Sequence, residues 1–231
     1  CIVKKKKFEH LKIQELAEIL LNYYVISSLK EKYGFFDYRC NNLGYITELD
    51  LTNVDPQGMS LSYFLDSILT LRNLEVLDLR FNNLIKLPEI PIDSNSITHL
   101  DLGYNRLSNL PISFSKLKSL KDLNLKSNRL IFIPNSLGNL SSLQTLNLRN
   151  NLLKKIPEAI KSLKTLKTLN LYGNKLNSIE FELNNSLLEL ELGWNNFSVI
   201  SQNIKSLKLL KKLGLSGNKL TKLPNWITRF E

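Results

Sequence analysis

Seven times between residues 74 and 220 the chain returns to one frame, L-x-x-L-x-L-x-x-N-x-L. It reads "LEVLDLRFNNL" from Leu74, "ITHLDLGYNRL" from Ile97, "LKDLNLKSNRL" from Leu120 and "LQTLNLRNNLL" from Leu143. It continues as "LKTLNLYGNKL" from Leu166, "LLELELGWNNF" from Leu187 and "LKKLGLSGNKL" from Leu210. Aligned on the asparagine, the copies place Asn82, Asn105, Asn128, Asn151, Asn174, Asn195 and Asn218 at spacings of 23, 23, 23, 23, 21 and 23 residues. A worn copy, "ITELDLTNV" from Ile46, precedes them and puts Val54 at the asparagine place. A chain that repeats itself at this interval is restricted to architectures in which each unit packs on the next, because one unit cannot bury its apolar face alone.

The residues say how each unit is built. In "LNL" the alternation is that of a strand, with both leucines on one face and the residue between them on the other. Pairing of each strand with its copy one repeat away gives a parallel sheet. After the strand the backbone turns, and its N–H and C=O groups inside a packed column need partners. An asparagine amide offers two donors and an acceptor, so it can satisfy that backbone from within. The seven asparagines are therefore expected to form a structural ladder rather than a catalytic set.

This frame resembles the leucine-rich repeat, over residues 46–224. The recurring prolines Pro88, Pro111, Pro134, Pro157 and Pro224 make the copies similar to the 23-residue version of intracellular Ras-linked, plant intracellular and bacterial leucine-rich-repeat proteins. The resemblance implies an α/β repeat solenoid, a curved horseshoe with a parallel concave sheet. Proline fixes φ and donates no hydrogen bond, which suits a segment that has left the sheet. From each proline runs an apolar rhythm in threes, as in Pro157, Ile160, Leu163 and Leu166, which fits irregular or 3₁₀ turns on the convex side.

The rhythm breaks in places. Val54 and Asn82 lie 28 residues apart, five beyond the period, with "NVDPQGMSLSYF" as a surface insertion. Pro91 and Ser94 replace expected leucines after Pro88, and Glu180 and Ser201 stand where prolines would. Ahead of the repeats, Phe8, Leu11, Leu16, Ile19, Leu20, Tyr23 and Ile26 recur at helical spacing up to a stop at Gly34. We read residues 1–44 as a helical cap, or the end of a preceding domain, and 45–231 as the repeat domain of about eight units, running on past Trp226 and Phe230.

Catalytic signatures are absent: there is no phosphate loop and no G-x-S-x-G elbow. His10 and His99 lie in different elements, and Cys1 and Cys40 are too few for a disulfide framework or a metal site. No metal, cofactor or enzyme activity is expected, and the location is read as cytoplasmic. The longest apolar stretch, interrupted at Asn22, is far too short to span a bilayer. The formal net charge is +10, which raises nucleic acid or anionic membrane as partners for "KKKK" at Lys4–Lys7 and for lysines such as Lys161, Lys164, Lys167, Lys208, Lys211 and Lys212. The lysine excess also accompanies many Asn, Ile, Tyr and Phe residues, all with AT-rich codons.

Positions not used by the core form columns on the concave side. Between the strand leucines lie Asp50, Asp78, Asp101, Asn124, Asn147, Asn170, Glu191 and Gly214. After the second leucine come Thr52, Arg80, Gly103, Lys126, Arg149, Tyr172, Gly193 and Ser216, and next Asn53, Phe81, Tyr104, Ser127, Asn150, Gly173, Trp194 and Gly217. A basic rim follows the asparagine, at Arg106, Arg129, Lys175 and Lys219. Aromatic residues and arginine are enriched in interface hot spots. Asp78, Arg80, Phe81, Asp101, Tyr104, Arg106, Lys126, Arg129, Arg149, Tyr172, Glu191 and Trp194 are therefore the candidate partner-binding residues. The leading expectation is a non-enzymatic, monomeric recognition module that binds a protein on its concave face. One alternative is the repeat segment of a larger signalling enzyme of the GTPase-linked or ubiquitin-ligase type. Electrostatic binding to nucleic acid or membrane is the other, and the concave acids make nucleic acid an unlikely ligand for that face.

Overall fold

The computed structural model of the chain describes residues 12–58, 60–91 and 96–229. Its repeats stack in chain order into one open sheet, β1 to β9, and the polypeptide advances by one strand per repeat. The strands are β1 (Asp37–Cys40), β2 (Ile46–Asp50), β3 (Val76–Asp78), β4 (His99–Asp101), β5 (Asp122–Asn124), β6 (Thr145–Asn147), β7 (Thr168–Asn170), β8 (Glu189–Glu191) and β9 (Lys212–Gly214). From β2 onward every pair is parallel, and the register keeps equivalent frame positions side by side: Leu77, Leu100, Leu123, Leu146, Leu169, Leu190 and Leu213 form one row. The result is a curved solenoid.

The two strand leucines of each central repeat are buried, and they join the turn residues in one continuous apolar cluster. Burial of a leucine side chain stabilises by about 1.5–3 kcal/mol, so the column of leucines dominates cohesion between repeats. Each asparagine of the frame sits at its edge. Asn151 donates from Nδ2 to the carbonyls of Leu125 (2.9 Å), one repeat earlier, and Leu148 (3.1 Å). Its Oδ1 accepts from the N–H of Leu130 at 3.0 Å. The same set recurs at Asn105, Asn128, Asn174 and Asn195. Asn82 makes it towards Leu51 and Asp55, and half-buried Asn218 towards Leu192 and Phe197. The link between neighbouring repeats therefore runs through the backbone, not from amide to amide.

Pro111, Pro134 and Pro157 each precede a 3₁₀ turn, at Ile112–Lys116, Asn135–Asn139 and Glu158–Ser162. A fourth turn, Gln202–Ile204, lacks the proline, and the Ser201 side chain accepts from the N–H of Asn203 instead. A fifth, Asn225–Arg229, follows Pro224. The described residues after Pro88, and the shortened repeat around Glu180, form no such turn. Ser94 and Phe230 lie outside the described residues.

The N-terminal segment differs from expectation in three ways. Helix α1 (Ile13–Tyr33) does end at Gly34, whose φ is 76°. Its buried face, however, is Ile19, Asn22, Val25, Ile26 and Leu29, while Leu16, Leu20 and Tyr23 are exposed. Phe8 and Leu11 lie outside the described residues. Asn22 explains the rotation: its Oδ1 accepts from the N–H of Ile46 at 2.7 Å and its Nδ2 donates to the carbonyl of Glu18 at 2.7 Å. A polar side chain is thus buried by design at the start of β2, and the exposed apolar residues lie around the helix from it. Second, β1 forms an antiparallel pair with β2, an element the sequence reading did not contain.

Third, the inserted stretch leads into a second helix, α2 (Leu61–Leu69), which buries Leu61, Leu65, Ile68 and Leu69. The five additional residues allow an α-helix where later repeats have 3₁₀ turns. Asp55, buried beside the vacant asparagine place of Val54, holds the start of α2. Its Oδ2 accepts from the N–H groups of Ser60 (2.8 Å) and Leu61 (2.7 Å). Its own N–H donates to Asn82 Oδ1 at 2.8 Å, which ties the first turn into the asparagine column.

Candidate functional site

The concave column between the strand leucines has a local structural task. In Asp50, Asp78, Asp101, Asn124, Asn147, Asn170 and Glu191 a side-chain oxygen accepts the backbone N–H two residues on, at 2.7–3.1 Å. Such Asx-type bonds close the turn that leaves the strand. The acids at the N-terminal end are further engaged. Arg80 Nε lies 2.8 Å from Asp78 Oδ2 and 3.6 Å from Asp101 Oδ2. The hydrogen bond to Asp78, above all, raises the pKa of the Arg80 guanidinium.

Asp101 accepts from Gly103 N–H at 2.8 Å and from Asn124 Nδ2 at 2.9 Å. Burial nevertheless pushes its pKa up, and the charge of Asp78 adds to the rise, against the lowering by those hydrogen bonds and Arg80. A carboxyl whose pKa is higher folded than unfolded binds more protons in the native state, so its ionisation opposes folding as pH rises through that window. Asp101→Asn, which installs the amide that the next repeats carry, is accordingly expected to stabilise the protein at neutral pH. The gain should shrink as pH falls below the raised pKa and vanish below the ordinary carboxylate value. Urea unfolding of both proteins between pH 3 and pH 7, a range that spans the ordinary Asp value of about 3.9, checks this. A gain that grows towards acid would refute it.

The next two columns hold the unusual features. Asn53, Phe81, Tyr104, Ser127, Asn150, Gly173, Trp194 and Gly217 all have φ between 51° and 68°. This left-handed conformation suits glycine and asparagine, and costs other residues roughly 1–2 kcal/mol each. Three bulky aromatic residues nonetheless occupy it, and all three are exposed: Phe81 by 42%, Tyr104 by 37% and Trp194 by 63%. The glycines and asparagines of the column were the sequence signal for this backbone, and the reading of outward aromatics passed over it.

Their side chains meet neighbouring rings, and the ring of Tyr104 also meets a cation from the preceding column. Phe81 stacks on Tyr104 with ring centroids 4.3 Å apart and planes 11° from parallel. Lys126 Nζ stands 4.8 Å over the Tyr104 ring. Further along, the Arg149 guanidinium lies 4.1 Å over Tyr172, whose ring is 6.4 Å from Trp194. Trp194 rests against Gly217, where an added Cβ would come within 2.7 Å of the indole. Cation–π contacts of this kind contribute roughly 0.5–1 kcal/mol when exposed. Among the described residues neither Lys126 nor Arg149 has a carboxylate in ion-pair range.

The structure thus joins six candidates into two contact groups, Phe81–Tyr104–Lys126 and Arg149–Tyr172–Trp194, which follow one another as a row along successive repeats, and sets Asp78, Arg80 and Asp101 in a separate ion-paired group. Glu191 bonds to Gly193 and lies across Gly214. Arg106 and Arg129 are exposed on the rim, with backbone N–H groups bonded to Leu84 and Leu107 one repeat earlier. His99, exposed on the sheet, pairs through Nε2 with Asp122 Oδ2 at 2.9 Å. His10 lies outside the described residues. Cys40 is disulfide-bonded.

Among the described residues no His, Cys, Asp and Glu cluster could hold a metal ion, and no helix is long and apolar enough to cross a membrane. Beside the row, an open depression of ≈ 410 Å³ is lined by Asp78, His99, Asp101, Asp122 and Asn124, among others.

Known proteins match this architecture. The family signature "Leucine rich repeat" matches residues 72–130 and 95–153, its two-copy form residues 141–185, and a single-copy form residues 209–230. Among curated proteins none matches the chain. Of solved structures, a leucine-rich-repeat protein of Leptospira interrogans is 32% identical, with a TM-score of 0.73 over 88% of this chain and 54% of its own. The ectodomain of the plant membrane receptor kinase GASSHO1/SCHENGEN3 from Arabidopsis thaliana, solved in complex with Casparian strip integrity factor 2, is 28% identical, with a TM-score of 0.53 over 71% of this chain and 24% of its own. An internalin from Listeria monocytogenes shares the fold at 20% identity, with a TM-score of 0.62 over 84% of this chain and 52% of its own. The chain therefore spans about half the length of the Leptospira protein. With its seven framed asparagines, its one-strand-per-repeat sheet and these matches, the chain belongs to the leucine-rich repeat family.

Proposed function

We propose that this chain is a non-enzymatic recognition module that binds a protein partner on its concave face, through the aromatic–cationic row. The observation that carries the reading is that Phe81, Tyr104 and Trp194 hold large exposed side chains on left-handed backbone. Strained residues of this kind persist where function uses them, and packing alone would be served by the glycine or asparagine found in neighbouring repeats. Eight parallel strands about 4.8 Å apart give an arc of roughly 34 Å, long enough for the roughly 800 Å² per partner of a standard protein interface.

The test is a nuclease-treated pull-down from native lysate, read by mass spectrometry. It compares the wild type with a variant carrying Tyr104→Ala, Arg149→Glu and Trp194→Ala, with folding checked by circular dichroism. The expected result is a protein captured by the wild type and lost by the variant. If both capture the same set, and moderate salt removes it, the concave reading fails and the lysines of the convex side become the binding surface.

Residues 12–44 belong, in this reading, to the solenoid as its cap rather than to a preceding domain. Support comes from the shared core of α1 with β2 and from the bond between Asn22 and Ile46.

A further inference from the structure

The chemistry of the row narrows the partner. Its middle is cationic and uncompensated: Lys126 and Arg149 come from adjacent repeats, and the column beside them is Asn124, Asn147 and Asn170, all neutral amides. Arg149 Nε is buried without a hydrogen-bond partner. Its two ends are apolar, the Phe81–Tyr104 stack on one side and the Tyr172–Trp194 pair on the other. Carboxylates flank the row on the sheet, Asp50, Asp78, Asp101 and Asp122 along its N-terminal half and Glu189 and Glu191 at its far end.

Resting on the concave reading above, we propose that the row takes an extended acidic peptide segment of the partner, with the pattern apolar–x–acidic–x–apolar. The spacing follows from the repeat. Tyr104 and Tyr172 are three repeats apart, about 14 Å at the sheet spacing of about 4.8 Å. An extended peptide advances about 3.3 Å per residue and turns alternate side chains to one face, so residues i, i+2 and i+4 face the solenoid over about 13 Å. The outer two stack on the aromatic ends. The middle carboxylate falls between the repeats of Lys126 and Arg149, where it meets the exposed part of both cations.

A single-stranded nucleic acid also stacks on aromatic residues and pairs with cations. It carries one charge per nucleotide, however, and the carboxylates at both ends of the row oppose a continuous polyanion. An isolated carboxylate between apolar side chains matches the alternation of acidic, apolar and cationic surface, and a polyphosphate does not.

The experiment selects from a displayed library of random nine-residue peptides on the wild-type chain, counter-selected on Arg149→Glu and, separately, on Lys126→Glu. Enriched peptides are then measured by fluorescence anisotropy beside a ten-base oligothymidylate at the same salt. The expected result is enrichment of Asp or Glu two positions from apolar residues on either side. Replacing that acid by its amide, or Arg149 by Glu, should weaken binding by about tenfold or more. Arg149→Glu should in turn favour peptides with Lys at the middle position. Enrichment of basic or patternless peptides, equal binding of acid and amide, no enrichment over the counter-selecting variants, or tighter binding of the oligonucleotide would each overturn the proposal. The pull-down judges the concave reading separately. A partner lost on the triple variant but lacking an acidic segment sinks this inference alone.

Discussion

Asn151→Leu is expected to cost about 1–3 kcal/mol of stability, the range for one buried backbone N–H left unpaired. The amide is buried and bonds the N–H of Leu130 and the carbonyls of Leu125 and Leu148; the two carbonyls also accept from Asn128 and Asn174, so the N–H of Leu130 is the group left stranded. Leucine matches asparagine in heavy-atom count and branching, and Asn151→Ala, which cannot overpack the site, serves as the control for its greater bulk. Because two of the three partners belong to the preceding repeat, the damage falls on the junction between repeats. In a quasi-one-dimensional array that weakens coupling between the two halves, so urea unfolding should show a lower midpoint and a shallower or two-step transition. The same change at half-buried Asn218, at the open end of the column, should cost clearly less. A loss below about 1 kcal/mol at Asn151, the range of ordinary mutations, would mean that water or a shifted backbone replaces the amide.

Asp55→Ala is the second large effect, and a local one. Removing the carboxylate strands the N–H groups of Ser60 and Leu61 at the start of α2. The expected cost is about 2–4 kcal/mol, combining a lost helix N-terminal acceptor with buried unpaired donors. Since α2 packs its Leu61, Leu65 and Ile68 on the first repeats, its loosening should open that end before the rest. Hydrogen exchange read by mass spectrometry should show faster exchange over residues 61–69, with the repeats around Asn151 still protected. Asp55→Asn should recover part of the loss. Uniform acceleration along the whole chain would contradict the local role.

Legibility in the sequence followed the kind of interaction involved. The period, the parallel strands, the buried leucine rows and the 3₁₀ turns after proline all depend on near-neighbour packing. A repeated sequence writes such packing out again in every copy. The asparagine column was legible because one amide type at one place, seven times over, has one economical use. The N-terminal segment was not repeated, and its reading went astray accordingly. A stripe of Leu16, Leu20 and Tyr23 looked like the buried face, but one long-range bond from Asn22 to Ile46 goes with a different one. Strand β1 and helix α2 likewise depend on contacts that no local pattern encodes.

The candidate site divides along the same line. Which residues point outward could be read from the period of two. That Asp78 and Asp101 are tied to Arg80 while Lys126 and Arg149 stay uncompensated is a matter of distances across repeats, and so is the stacking of Phe81 on Tyr104. By itself the sequence determined the solenoid, its family and its outward columns, because those follow from periodicity and the hydrogen-bonding needs of a turning backbone. Only the tertiary structure decided which cap face is buried, which charges are cancelled and which aromatics share a row, because apart from the local Asp78–Arg80 pair these depend on side chains brought within a few ångströms from different repeats or from the cap.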